Sequence, residues 1–479
     1  MKLNFLRITA TIVALFNLCI FAEVSAAAKV VTVNSIEEIL PYLKQDNVSV
    51  KMQPGTYIVT VKDVEAGKYP LKAEVIEGSI SNVILLIEGN GSTYDFTDVT
   101  IEVETKVFGA FGNNGEFVEL HILGNNNVVK NLKLMDVGSK DDFPPYGCVN
   151  VIMDGANNLV EGVEVRSTGS MPYGYGEVFG KGAKNTIRHR KHSAVLVRGD
   201  YNHLKNCRVI HRSYGHFVFM QAAQNPTIEG CYIEGEMITT DDILKEKGSG
   251  SAADKIDFMT VFGYKVPMGY TLSTGEDGIR TYNAGRTMVN GERMKRGSAN
   301  ITVKDCTVKH ARGGVALTLS TGFKVVENCT LIGCQGGFAT GSGGQIINCR
   351  ADVAFGAAYS NAYDSDEGVT ADITIMPYEG EKFVGNGGKQ AAIIWGRNHN
   401  ITLRRGEGLS EDQEISVYVG GLRRSIGALA EEKDGKASGI TINNETNYPI
   451  ILGNNSSANT ITTKGGVIDN GKSNNISKK

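Results

Sequence analysis

Arg280 and Tyr282 stand two residues apart in a strand-like segment, and period-two alternation puts them on one face. A guanidinium there can neutralise a carboxylate through a planar fork, and the phenol beside it can carry a proton. His216, just after Gly215, is a third group able to take or give one. Arg280, His216 and Tyr282 are therefore the candidate catalytic residues for a β-elimination. In that reaction a uronate ring loses its C5 proton while its carboxylate is neutralised. Hydrolysis is the competing chemistry and needs two carboxylates, about 5–5.5 Å apart for retention or about 6.5–9.5 Å for inversion. Asp241 with Asp242, Glu276 with Asp277, Asp154 and Asp200 are available for it. Sugar binding without catalysis is the third reading.

Cations gather in one stretch. Residues 181–216 carry Arg188, Arg190, Arg198, His211 and ten other basic or imidazole side chains, with Asp200 as the one carboxylate. The whole chain has a net charge of −3, which argues against a nucleic-acid binder. A local basic cluster in such a chain suits an acidic polysaccharide as partner, and a solvated loop face is the alternative. Aligned strands put Asp154, Arg198, Gln221 and Thr321 at one position, while His211 and His310 each stand four residues after a cysteine. Arg188, Arg190, Arg198, His211, Gln221, His310 and Asp154 are thus the candidate substrate-binding residues. Tyrosines within residues 171–191 would add a wall for sugar rings.

The elements that must position these groups follow from a repeat. Cys207, Cys231, Cys306, Cys329 and Cys349 each follow Asn, Gly or Asp, and each is followed by a polar and then an apolar or small residue. Leu132 and Val163 occupy the same place in earlier segments. Intervals of 24, 23 and 20 residues separate positions 207 and 231, 306 and 329, and 329 and 349. Longer intervals mark inserted loops. Such a chain winds as a parallel β-solenoid whose equivalent positions stack into ladders. The cysteines then form a buried thiol ladder rather than disulfides or a zinc site, and no CxxC pair is present. Glycine, at 58 of 479 residues, is well above the ordinary ~7% and suits many tight turns. Ser35 and Glu38 form a capping box for a short helix that would close the open end.

With this cap helix, the PGTY strand at residues 54–57 and the Asn/Gly-Cys coils, the chain resembles the pectate-lyase-like group of right-handed β-helix proteins. The resemblance spans roughly residues 30–470. It implies an all-β, right-handed parallel β-helix, in a group that includes lyases, glycosidases, esterases and binding proteins. Glu276-Asp277-Gly278-Ile279-Arg280 is similar to a strand of alginate- and chondroitin-cleaving members, which implies a general-acid or neutralising role for Arg280. Their lysine one coil later has no match, since Lys324 is offset. Gly215-His216 is similar to part of the polygalacturonase signature, but the Asp-Asp-Cys of that signature is missing.

Residues 1–26 read as a signal peptide, with Lys2 and Arg7 before an apolar run and a Val24-Ser25-Ala26 cleavage pattern. An exported monomer is expected, periplasmic or extracellular if the source is bacterial. No other run is long enough to span a membrane. Residues 27–479 read as one domain with loop insertions near 170–191 and 235–297. No cofactor is assigned. Calcium at Glu276 and Asp277 is not assigned either, because neighbours in a strand point to opposite faces.

Overall fold

Short strands with one apolar face and a Gly- or Asn-rich turn cannot bury that face alone; stacked coils can. A computed structural model describes residues 30–68, 73–76, 79–112, 115–142, 144–170, 190–259, 265–266, 268–361, 363–378, 390–410, 414–424 and 432–479. The signal segment, Arg188 and most of the 170–191 insertion lie outside the described residues. Among those described, strands that are parallel except for the antiparallel pair Ala73–Ile76 with Ser79–Ile87 form a 14-stranded sheet and a larger 23-stranded sheet. Their inward faces share one apolar core running from Val33 to Ile461.

The ladder read from the sequence is the one that forms. Glu164 pairs with Arg208, Arg208 with Tyr232, Tyr232 with Thr307, Thr307 with Thr330 and Thr330 with Arg350. One residue earlier, Val163, Cys207, Cys231, Cys306, Cys329 and Cys349 therefore stack. The seven cysteines among the described residues are all free and buried. An asparagine ladder holds the next corner: the Asn127, Asn158 and Asn202 carboxamides accept from Ser92, Asn127 and Asn158 backbone N–H groups at 3.0, 2.8 and 2.8 Å. Beside it, Asn126, Asn157, Tyr201 and Asn225 take the left-handed backbone the turn needs, with φ between 54° and 59°. Ser35 caps the helix Ile36–Ile39, whose Ile36 and Ile39 are buried in the core.

Two readings need correction. Thr321 belongs to the larger sheet, opposite Ala299, so it does not share the row of Asp154 and Arg198. The residue in register there is Tyr282, since Thr281 pairs with Met220 and Met220 with Val197. The 235–297 insertion is likewise two insertions. Strand Asp277–Thr281 between them is a full member of the 14-stranded sheet, flanked by Val218–Met220 and Gly313–Ala316.

Candidate active site

Ile279 points into the core, so Arg280 and Tyr282 point outward from the sheet. The Arg280 guanidinium lies 4.9 Å from the Tyr282 ring centroid. In the preceding coil His216 faces the same way. Its Nε2 is 2.6 Å from Tyr282 Oη and 2.9 Å from Glu276 Oε2. Phe219 packs against the imidazole, with ring centroids 5.1 Å apart. The three residues named from the sequence thus meet in one cluster.

Glu276 and Asp277 join them, contrary to the expectation of opposite faces. Glu276 precedes the first strand residue, so alternation does not govern it. Arg312 spans both carboxylates, with Nη1 3.5 Å from Glu276 and Nη2 3.5 Å from Asp277. Lys191 Nζ reaches Glu276 at 2.5 Å, and Arg280 pairs with Asp277. The carboxylates are only 1% and 5% exposed. Burial would raise both, but the His216 ring, Arg312 and Lys191 hold Glu276 well below the ordinary range. Arg312 and Arg280 likewise hold Asp277 at about 2. Burial pulls His216 below the ordinary imidazole value despite Glu276, and pushes Tyr282 up to about 12.

At neutral pH this arrangement offers a protonated phenol, a neutral imidazole and two ionised carboxylates. It can move a proton between Tyr282 and His216, and Glu276 stands ready to stabilise the imidazolium. It offers no carboxylic acid, which glycoside hydrolysis requires. Both carboxylates are engaged by cations, and among the described residues no group of three or more His, Cys, Asp or Glu is placed to hold a metal ion. The other carboxylates considered for hydrolysis are structural: Asp242 accepts from Thr239 Oγ1 at 2.7 Å, Asp241 from the Gly269 N–H at 3.1 Å, and Asp200 pairs with Arg296.

The substrate-binding candidates are dispersed. Asp154 is fully buried between His121 at 2.7 Å, Thr287 at 2.7 Å and Arg198 at 3.5 Å, so it anchors side chains instead of meeting ligand. Burial would raise its pKa, but Arg198 and His121 keep it lowered. Gly285 lies directly on Gln221, where an added Cβ would stand 2.7 Å from the Gln221 Cβ. Arg190 donates to the Pro145 carbonyl at 3.2 Å and covers the exposed Tyr146 ring. His310 sits half-buried at a left-handed turn, φ +57°, following a strand of the larger sheet. His211 shares its register but points inward and is fully buried, which removes it from any surface row.

The basic stretch is not a free cationic groove among its described residues. Lateral stacking sets its side chains beside carboxylates of adjacent coils: His203 and Glu229 at 2.9 Å, Lys205 and Glu161 at 3.4 Å, Arg208 and Glu164 at 3.8 Å, Arg212 and Glu234 at 3.8 Å. His192 and His211 line the interior with Glu119, Asp136, Asn150 and Ser167. Asp136 Oδ2 accepts from Thr168 N at 2.9 Å and from Asn150 at 3.1 Å, and stands 3.4 Å from His192 Nε2. Burial raises Glu119, and burial together with the neighbouring Glu119 raises Asp136, while burial lowers His192 and His211 to about 3.

Sequence reading missed Arg312 and Lys191. Arg312 had a signal: Arg312-Gly313-Gly314-Val315 aligns with Glu276-Asp277-Gly278-Ile279, which sets Arg312 beside Glu276 in the next coil.

Residues 176–351 match the family model described as "Right handed beta helix region". No curated protein matches the chain. Among solved structures, the chain is 12% identical to a mannuronic-acid-specific polysaccharide family 6 lyase from human gut microbiota, covering 94% of this chain and 83% of that one, TM-score 0.41. It is 12% identical to the family 6 lyase Pedsa3628 of Pseudopedobacter saltans, covering 93% and 92%, TM-score 0.39. It is 11% identical to PfbA, a surface adhesin of Streptococcus pneumoniae, covering 93% and 88%, TM-score 0.33. The matched residues include the coils that carry His216, Glu276 and Arg312, and the chain is a right-handed parallel β-helix protein.

Proposed function

We propose that the protein is an exported polysaccharide lyase that cleaves a uronic-acid-containing polysaccharide by β-elimination. One observation carries the reading: a phenol and a neutral imidazole in direct contact, beside carboxylates that cations keep ionised. Tyr282 is the more exposed of the proton-moving pair, with His216 behind it. Arg280, 22% exposed, faces the uronate carboxylate through donors that Asp277 leaves unused. Neutralising that carboxylate acidifies the C5 proton. As that proton passes to the phenol oxygen, the phenol proton passes to His216 Nε2. The C5–H electron pair forms the C4–C5 double bond and the C4–O bond breaks. The proton then returns from His216 through Tyr282 to the departing oxygen, and the pair is reset. Glu276, steadied by Lys191 and Arg312, stabilises the imidazolium in between.

The test is a panel of acidic and neutral polysaccharides followed by ultraviolet absorbance of unsaturated product. An acidic polysaccharide should yield the chromophore, and Tyr282→Phe should cut the rate by roughly 10²–10⁴-fold. Arg280→Lys should lose most activity along with Arg280→Ala, because an ammonium does not reproduce the fork. Reducing ends without absorbance would make the enzyme a hydrolase, and neither signal would leave a binding protein.

A further inference from the structure

The hairpin Arg286–Val289 with Glu292–Lys295 rises from the site itself. Its chain leaves the 14-stranded sheet after Tyr282 and enters the larger sheet at Ser298, whose N–H donates to the Tyr282 carbonyl at 3.0 Å. It is fastened along its length. Thr287 Oγ1 donates to Asp154 at 2.7 Å, Gly155 N–H to the Met288 carbonyl at 2.8 Å, and Arg296 Nε to the Ala222 carbonyl at 3.0 Å. Asn290 and Gly291, with φ of +50° and +78°, close its tip.

Its cross-strand pairs are Val289 with Glu292 at the tip, then Met288 with Arg293, Thr287 with Met294, and Arg286 with Lys295 at the base. Two exposed cations therefore stand directly opposite each other in the pair at the base of the hairpin. Like charges at that spacing repel. Many other surface cations are neutralised: Lys205, Arg208, Arg212, Lys304, Arg397 and Arg404 each have a carboxylate within 4 Å, although the hairpin Gly421–Arg424 with Glu432–Gly435 also sets Arg423 opposite Lys433. Among the described residues neither Arg286 nor Lys295 has such a carboxylate. Arg286 lies four positions after Tyr282, at most ~14 Å of chain.

We propose that Arg286 and Lys295 form an anion clamp that holds the carboxylate of a sugar unit neighbouring the one at Tyr282. This rests on the lyase reading for the identity of the polymer. An anion between the two cations turns a repulsive pair into two attractions, and the fastened hairpin fixes the clamp relative to the reacting phenol. Cleavage then requires consecutive acidic units, so an isolated uronate in a neutral chain is a poor substrate.

The experiment measures binding of polygalacturonate, alginate, dextran sulfate and dextran to the full chain at low and high salt, alongside product absorbance. The variant Arg286→Gln with Lys295→Gln should bind the preferred polyuronate at least ~10-fold more weakly at low salt, with the difference shrinking as salt screens it. Lys205→Gln with Arg208→Gln makes the same change in net charge on the other sheet and should stay within about twofold of wild type. Equal losses in the two double variants would overturn the clamp, as would wild-type affinity in the first. A loss on dextran sulfate as large as on the polyuronate would overturn the carboxylate assignment. If wild type binds but forms no unsaturated product, the lyase reading fails while the clamp stands on binding alone.

Discussion

Two buried polar clusters lie on either side of the 14-stranded sheet, the inner one shared with strands of the larger sheet, and their carboxyls are shifted in opposite directions. Inside the cylinder, Glu119, Asp136, His192 and His211 have no salt bridge to a lysine or arginine among the described residues, and burial raises the two carboxyls and lowers the two imidazoles. Outside, Glu276 and Asp277 are as thoroughly buried, yet Arg312, Arg280 and Lys191 reach them and both are ionised. Burial penalises charge in either place; whether a cation reaches the group decides the outcome. The inner cluster tunes packing and the outer one can do chemistry.

The largest way to break this comparison is to remove the cation that spans the outer carboxylates. Arg312→Met should destabilise the fold by about 3–5 kcal/mol, because it leaves two buried carboxylates short of a partner. Urea unfolding at pH 7.5 measures it. A cost below about 1 kcal/mol would mean that the outer cluster is not held together by charge compensation. It would then be no different in kind from the inner one.

What the sequence disclosed follows the same division. The coil ladder was legible because its signal is one-dimensional: Cys207, Cys231, Cys306, Cys329 and Cys349 sit at fixed places in a short repeated pattern. Arg280 and Tyr282 were legible for a similar reason, since alternation alone puts them on one face. His211 was misjudged because its strand reads the same whichever face is inward at that point, and only its ring contacts with the His192 carbonyl and Ser213, and its register neighbour Ser167, reveal the interior. The basic stretch was misjudged because a solenoid's neighbours are a coil away. Glu161, Glu164, Glu229 and Glu234 lie outside residues 181–216 in sequence and against them in space. A bulk count of cations along the chain cannot see that neutralisation.

The two clusters should also separate by pH. A histidine whose folded pKa is depressed leaves the unfolded chain binding the extra proton, so its share of stability is lost as pH falls from ~6.5 towards the folded value. His211 at about 3 and His192 at about 3 meet that case. The depressed carboxylates Glu276 and Asp277 contribute stability above ~4 and lose it only below that. Glu119 and Asp136, both raised in the fold, oppose the trend, their cost growing as pH rises past ~4. A variant isolates the histidine. His211→Gln should be destabilising at pH 7.5, and its penalty should shrink by about 1.4 kcal/mol per pH unit between pH 6 and 4. A penalty constant with pH would mean that His211 is already charged inside the fold.

The smallest expected effect probes the interior where it holds no polar network at all. Cys329 stacks between Cys306 and Cys349, and its thiol donates to the Glu327 carbonyl at 3.3 Å. Ser167, by contrast, sits in the inner cluster with its hydroxyl 2.5 Å from the Asn150 carboxamide. Cys329→Ser places the same hydroxyl, on a shorter bond, where the Glu327 carbonyl is near, the Val303 carbonyl is 3.8 Å from the present sulfur, and its own lone pairs meet sulfur and hydrocarbon. It should cost about 1–3 kcal/mol, towards the lower end because the Glu327 carbonyl can still accept. The same thiols should resist labelling in the native protein and all seven should react once it is denatured. If Cys329→Ser were neutral, an isolated hydroxyl would be tolerated in this core. The hydrogen-bonded grouping of Ser167, Asn150 and Asp136 would then be unnecessary for burying them, and the inner cluster would call for a reason other than polar satisfaction.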